Sequence, residues 1–158
     1  MADPAYPPSR RAPLRWAMGG AIPWLLLAAG QVVWIELDQR MLWLHTLIAV
    51  VTVLGAAISA AVVPLWRYRV HRWEISPQAV YTRTGWLVQE RRIAPISRVQ
   101  TVDTYRGPLD RLFGLANVTV TTASSAGAVH IVALDVPVAD QLVAQLTDIA
   151  AIGAEDAT

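Results

Sequence analysis

The sequence predicts a membrane protein: a two-helix transmembrane hairpin followed by a mostly β domain that closes with one helix. Three observations carry this. Ala17–Ile35 and Met41–Leu65 are apolar runs without a single Asp, Glu, Lys or Arg. Charged residues make up only 16% of the chain and hydrophobic residues 54%, against about 25% charged in a soluble domain. Beyond Arg69 the long apolar runs give way to short alternating segments broken by Gly, Pro and Ser, the pattern of strands and turns.

A bilayer core of about 30 Å needs about 20 apolar residues at about 1.5 Å rise each, and both runs meet that length. Trp16 and Trp34 bracket the first run, and Trp43 and Trp66 the second. Indole rings favour the headgroup level, so the spacing fits two aromatic belts. A chain of 158 residues has only one small further domain, too little to cover two such helices on all sides. A basic stretch ahead of an apolar run also suits a signal peptide. Here the run is long, and Trp34-Ile35-Glu36 is a poor small-residue cleavage site, so the first span is expected to be retained.

Within the spans, Pro23 removes a backbone donor and is a kink point. Gly55 and Ser59 have the small-xxx-small spacing that lets helices approach closely in lipid. Gln31 and His45 are the notable polar residues. They mark either a polar pathway or positions near the outer interface that headgroups and water satisfy. Arg10, Arg11 and Arg15 precede the first span, and Arg67, Arg69 and Arg72 follow the second. The connecting loop holds only Arg40, beside Glu36 and Asp38. Short Arg-rich flanks stay in the cytoplasm, so both termini are expected there.

The expected division is a disordered cytoplasmic tail over residues 1–15, the hairpin over 16–67, a cytoplasmic domain over 68–152 and a disordered tail over 153–158. Four prolines among the first thirteen residues argue for the first tail, and Gly153, Glu155 and Asp156 for the second. In the domain, Arg72–Ile75 alternates and stops at Ser76-Pro77; Ala79–Arg83 and Leu87–Ile93 flank a turn at Thr84-Gly85-Trp86. One turn at Ile96–Gln100 leads to a strand at Thr101–Arg106. Gly107-Pro108 opens a short helix, Leu109–Phe113, which Gly114 closes; Pro at the first turn and Gly past the end are the expected asymmetry. This helix is expected to bury Leu109, Leu112 and Phe113. Leu115–Ala123 puts Val118, Val120 and Thr122 on one face, and after a turn at Ser124–Gly127 the partner strand is Ala128–Leu134. From about Pro137, Ala139, Leu142, Val143, Leu146 and Ile149 recur at helical spacing. Six strands and then one helix suit a strongly bent antiparallel sheet plugged at one end.

Several runs in this order are familiar: Trp73-Glu74-Ile75-Ser76, Gly85-Trp86, Pro95-Ile96-Ser97-Arg98-Val99-Gln100, Arg106-Gly107-Pro108-Leu109-Asp110-Arg111-Leu112-Phe113-Gly114-Leu115-Ala116, and Val118-Thr119-Val120-Thr121-Thr122-Ala123. Together they resemble the bacterial pleckstrin-homology-like (PH-like) membrane proteins, the YdbS-like group, over roughly Gly20 to Ile149. The resemblance implies a pleckstrin-homology-type barrel capped by the carboxy-terminal helix. It brings no catalytic or ligand residue with it.

The residues offer little chemistry. The chain has no Cys, hence no disulfide and no thiolate. Phosphate-loop, dinucleotide, nucleophile-elbow and His-Glu-x-x-His patterns are missing. His45, His71 and His130 fall in separate parts of the expected topology, and nothing ties Asp103, Asp110 and Asp135 into an acid/base set. A non-enzyme is expected, with no metal, cofactor or nucleic-acid partner. All 13 basic residues are Arg. Arg67, Arg69 and Arg72 would each gain about 1 kcal/mol against an anionic leaflet, or simply set topology. Arg83, Arg91, Arg92 and Arg98 either gather into a pocket for an anionic headgroup or act as solvated edge charges that discourage strand pairing between molecules. The functional expectation is therefore a membrane-anchored interaction module that docks a protein partner or a sibling PH-like membrane protein. Its alternative is binding of anionic phospholipid headgroups, with a transporter or channel accessory subunit as a third reading. A homo-oligomer is compatible with each. For the topology, a cytoplasm-active reporter fused after Thr158 should be active and a periplasm-active one silent; the reverse pattern overturns the orientation.

Overall fold

The computed structural model describes residues 4–86, 88–123 and 127–155, with side chains as far as residue 149. The chain forms two compact units, one of Pro13–Trp66 and one that combines the residues up to Ala12 with those from Arg67 onward.

The first unit is the helical hairpin. Helix α1 spans Ala12–Leu37 and runs through Pro23. Helix α2 (Leu42–Ala57) continues through a π turn at Ile58–Val62 into α3 (Val63–Val70). The two rods are 26 and 29 residues long, and 0% and 6% of their most apolar windows are buried. Helices satisfy their own backbone, so lipid can supply the contacts that the protein leaves out.

Polar contacts and small residues join the two rods. Trp24 Nε1 donates to Ser59 Oγ at 2.9 Å, and Gln31 Nε2 donates to Thr52 Oγ1 at 2.6 Å. A Cβ on Gly55 would lie 2.1 Å from Cη2 of Trp24, and one on Gly20 would lie 2.7 Å from the Ser59 carbonyl oxygen. His45 Nε2 sits 2.7 Å from the Asp38 carbonyl, and its ring meets Trp34 edge-on at 4.3 Å. Gln31 and His45 thus find partners inside the hairpin. Val63 N–H reaches five residues back to Ile58 in the π turn, and Pro64, next in the chain, brings no N–H to the Ala60 carbonyl.

The second unit holds two three-stranded antiparallel sheets, β1-β2-β3 and β4-β5-β6. Their ranges are Arg72–Ile75, Ala79–Gly85, Gln89–Pro95, Val99–Tyr105, Leu115–Thr122 and Val129–Asp135. A short 3-10 turn, Ile96–Arg98, links the sheets. Val80, Val118, Val120, Ile131 and Leu134 build the core, and helix α5 (Val136–Glu155) closes it with Ala139, Leu142 and Leu146. Strand boundaries differ from the sequence expectation by one or two residues. Leu87 and Ser124–Ala126, expected in a strand and a turn, lie outside the described residues, as do 1–3 and 156–158. Gly85, at φ 128°, turns the β2–β3 connection where a Cβ would strike the Val88 carbonyl at 2.0 Å. Helix α5 continues past Gly153 to Glu155, beyond the stop expected at that glycine.

Helix α4 (Pro108–Phe113) starts with Pro at its first turn and stops at Gly114 in the left-handed region, φ 67°. Its burial differs from the expectation. Leu112 is 68% exposed, Leu109 and Phe113 are half-buried, and Asp110 is the buried residue, 1% exposed. The reason is local: Asp110 Oδ2 accepts from the Gly107 N–H at 3.0 Å and from Asn117 Nδ2 at 3.0 Å, so the carboxylate is drawn inward.

The amino-terminal tail corrects another expectation. Its prolines signal neither helix nor strand, yet residues 4–12 lie along the β unit. Tyr6 and Trp73 exchange both backbone hydrogen bonds as an isolated antiparallel bridge, at 3.0 and 2.9 Å. Composition reports what a segment does alone; it carries no information about a sheet edge elsewhere in the chain.

Removing Asp110 should therefore cost more than removing the aromatic of the same motif. Asp110→Ala leaves two donors unpaired, at about 1–3 kcal/mol each, whereas Phe113→Ala should fall short of the about 3–5 kcal/mol typical of a fully buried ring. Thermal unfolding of the purified full chain checks the order; a larger loss in Phe113→Ala overturns it.

Candidate interaction surface

The arginines singled out from the sequence fall into separate groups. A helix leaves its last carbonyls unpaired and its carboxy-terminal end partly negative. At the end of α3, Arg72 Nη1 donates to the carbonyls of Tyr68 and His71, both at 2.8 Å, and Arg83 Nε donates to that of Val70 at 3.0 Å. Arg72 and Arg83 are direct cross-strand partners in β1 and β2. Like charges so placed would repel, and the helix end offsets that by drawing on both. Arg67 is half-buried in the same turn, and its carbonyl accepts from the His71 backbone and from His71 Nδ1 at 2.8 and 2.9 Å. Arg69 is exposed in that turn.

Arg91 and Arg92 lie on β3 and line a cleft of about 280 Å³ with Glu90, Ala94, Thr122 and Val129. Arg92 reaches Glu90 Oε1 at 2.7 Å through both Nε and Nη2, and its Nη1 donates to the Ala128 carbonyl at 2.9 Å. Arg91 is exposed, and Arg98 is exposed in the 3-10 turn. The seven arginines therefore do not converge on one anion pocket.

The carboxylates are equally dispersed. Asp103 accepts from Thr101, Asp110 belongs to α4, and Asp135 accepts from Ser9. Among the described residues no three His, Asp or Glu side chains are placed to hold a metal ion.

Sequence reasoning missed the groove that the amino-terminal strap occupies. Ala5 N–H donates to Glu74 Oε2 at 3.1 Å, and Trp73 Nε1 donates to the Pro7 carbonyl at 3.2 Å. Ser9 N–H donates to the Ala133 carbonyl at 2.8 Å and Ser9 Oγ to Asp135 Oδ1 at 2.7 Å. Arg11 Nη1 donates to the Phe113 carbonyl at 3.3 Å. With the Tyr6–Trp73 pair, seven hydrogen bonds among the described residues join 5–11 to the rest of the unit. The strap also packs: Pro8 is buried, and the rings of Tyr6 and Trp73 meet at 5.3 Å. The available signal was Tyr6-Pro7-Pro8, an extended proline pair of the kind that docks on aromatic grooves.

The groove itself is fixed from beneath. Asn117 stands opposite a bulge in β6, where Ala133 adopts φ 57°. Asn117 Oδ1 accepts from the Ala133 N–H at 2.9 Å, while its amide nitrogen holds Asp110. The motif around α4 thereby sets the direction of the carbonyl that receives Ser9. Beside the strap lies an open cleft of about 620 Å³, reaching Tyr68, Gly114, Leu134, Pro137 and Val138.

A transmembrane helical hairpin joined to two small sheets and a closing helix is the architecture of a membrane-anchored PH-like protein. The chain belongs to the Bacterial PH domain family, which matches residues 22–150. It is also 33% identical over 115 residues to the UPF0699 transmembrane protein YdbS of Bacillus subtilis (strain 168), covering 72% of this chain and 70% of that protein. No solved structure matches it.

His71 gives the unit a pH dependence. Burial, and then the charge of Arg67, lower its pKa below 6.5, while the bond to the Arg67 carbonyl opposes them. The unfolded chain thus takes up this proton first as pH falls through about 6.5, so stability declines below that value until the folded state is protonated too. The Tm of the wild type should fall more between about pH 7.5 and 5.5 than that of His71→Gln; parallel curves overturn the assignment.

Proposed function

We propose that this chain is a membrane-anchored docking module whose PH-like unit engages a protein partner at the cytoplasmic face of the membrane. The observation that carries the reading is the commitment of the arginines. Arg72 and Arg83 are spent on helix-end carbonyls and Arg92 on Glu90 and Ala128, whereas a headgroup pocket concentrates cations without adjacent acids. The hairpin already anchors the chain, so lipid affinity adds nothing to localisation. Tethering raises the effective concentration of membrane-bound partners, so a weak protein contact suffices. The Arg-rich flanks support a cytoplasmic position for both termini. A sibling PH-like membrane protein is one partner that would satisfy this reading.

The test is titration of the full chain in neutral-lipid nanodiscs with soluble glycerophosphoglycerol and inositol phosphates at physiological salt. No saturable binding is expected. Saturable binding that disappears in Arg91→Ala/Arg92→Ala overturns the reading in favour of headgroup recognition.

A further inference from the structure

We propose that the groove beside Trp73 is a docking site for an extended, proline-containing, basic segment of a partner protein, and that residues 5–11 of this chain fill it until such a segment arrives. The inference rests on the protein-docking reading and gives the partner a chemistry. Its first support is that the groove is built by groups outside the strap. Ala133 is held at φ 57° with its N–H on Asn117, a backbone region that non-glycine residues occupy only when their surroundings impose it. Its carbonyl is thereby presented as an acceptor, and β1 presents the N–H and C=O of Trp73 beside it as an edge for strand addition.

The second support is charge. Apart from the Trp73 donors, the groups that meet the strap are acceptors: the carboxylates of Glu74 and Asp135 and the carbonyls of Ala133 and Phe113. An occupant must bring donors and positive charge, and the strap brings the Ser9 N–H and hydroxyl and the Arg11 guanidinium. Its prolines stand where no donor is wanted, since Pro7 contributes only its carbonyl, to the indole N–H of Trp73. The third support is space. A cleft of about 620 Å³ lies between residues 7–11 of the strap and Tyr68, Leu134, Pro137 and Val138, so a bulkier segment of the same chemistry can reach walls that the strap leaves open. A strap outside any sheet or helix opens more readily than a sheet interior.

The experiment uses the full chain in nanodiscs and a fluorescent peptide with the sequence of residues 4–11, Pro-Ala-Tyr-Pro-Pro-Ser-Arg-Arg, read by anisotropy. Tyr6→Ala/Ser9→Ala leaves every groove residue intact and weakens only the strap. It should bind the peptide at least ten-fold tighter than the wild type, and adding Asp135→Asn should reverse that gain. Wild type with excess peptide provides a second measurement: hydrogen exchange at the Tyr6 and Ser9 amides should accelerate. No gain in the strap variant together with unchanged exchange in the wild type overturns the inference. A wild-type dimer that vanishes in Tyr6→Ala/Ser9→Ala reassigns the occupant to a second copy and overturns it in this form. Failure here with the headgroup titration still blank removes the groove alone, whereas saturable headgroup binding removes the docking reading itself.

Discussion

One buried carboxylate underlies the organisation of the β unit. Asp110 is 1% exposed, and it joins the start of α4 to Asn117 near the start of β5. Asn117 in turn fixes the bulge in β6 through the Ala133 N–H. A short helix, two strands and the surface carbonyl that receives Ser9 thus share one chain of hydrogen bonds. A buried acceptor with two donors is stable only while both donors are present. The Gly-Pro-Leu-Asp-Arg-Leu-Phe-Gly run is better understood as a polar joint than as an apolar plug, with its exposed Leu112 as the clearest sign.

Much of this fold was legible in the sequence. Length and apolarity alone mark the two membrane helices, because lipid imposes a composition on them that no other solvent does. The alternation at Val118, Val120 and Thr122 and the helical spacing of Ala139, Leu142 and Leu146 identify the core-facing residues of β5 and α5, and all six are buried. What escaped was set by partners far away in the chain. Residues 4–12 read as disordered because prolines carry no periodicity, and their order comes from an edge more than sixty residues later. Thr52 as the partner of Gln31 likewise shows only once the two helices are paired.

The candidate site was legible only as a list of arginines. Charge at Arg72 and Arg83 suggests an anion to a reader of the sequence, and the anion turns out to be the partly negative end of a helix. Spacing cannot reveal that, because the carbonyls concerned carry no residue signature. The groove under the strap was invisible for a related reason. Its acceptors at Trp73, Phe113 and Ala133 are backbone atoms, so only the fold brings them together.

The bulge in β6 has a consequence of parity. Val129 and Ile131 face the core at odd positions, and after the extra residue the inward set continues at Leu134. Side chains of a strand alternate strictly, so one inserted residue exchanges the two faces of everything beyond it. Were the same sequence to run through without a bulge, the odd series would continue through Asp135 and carry that carboxylate into the core, while Leu134 would turn out to solvent. By absorbing the additional residue, the bulge lets one strand pack against a hydrophobic core along its length and still end with a charge on the outside.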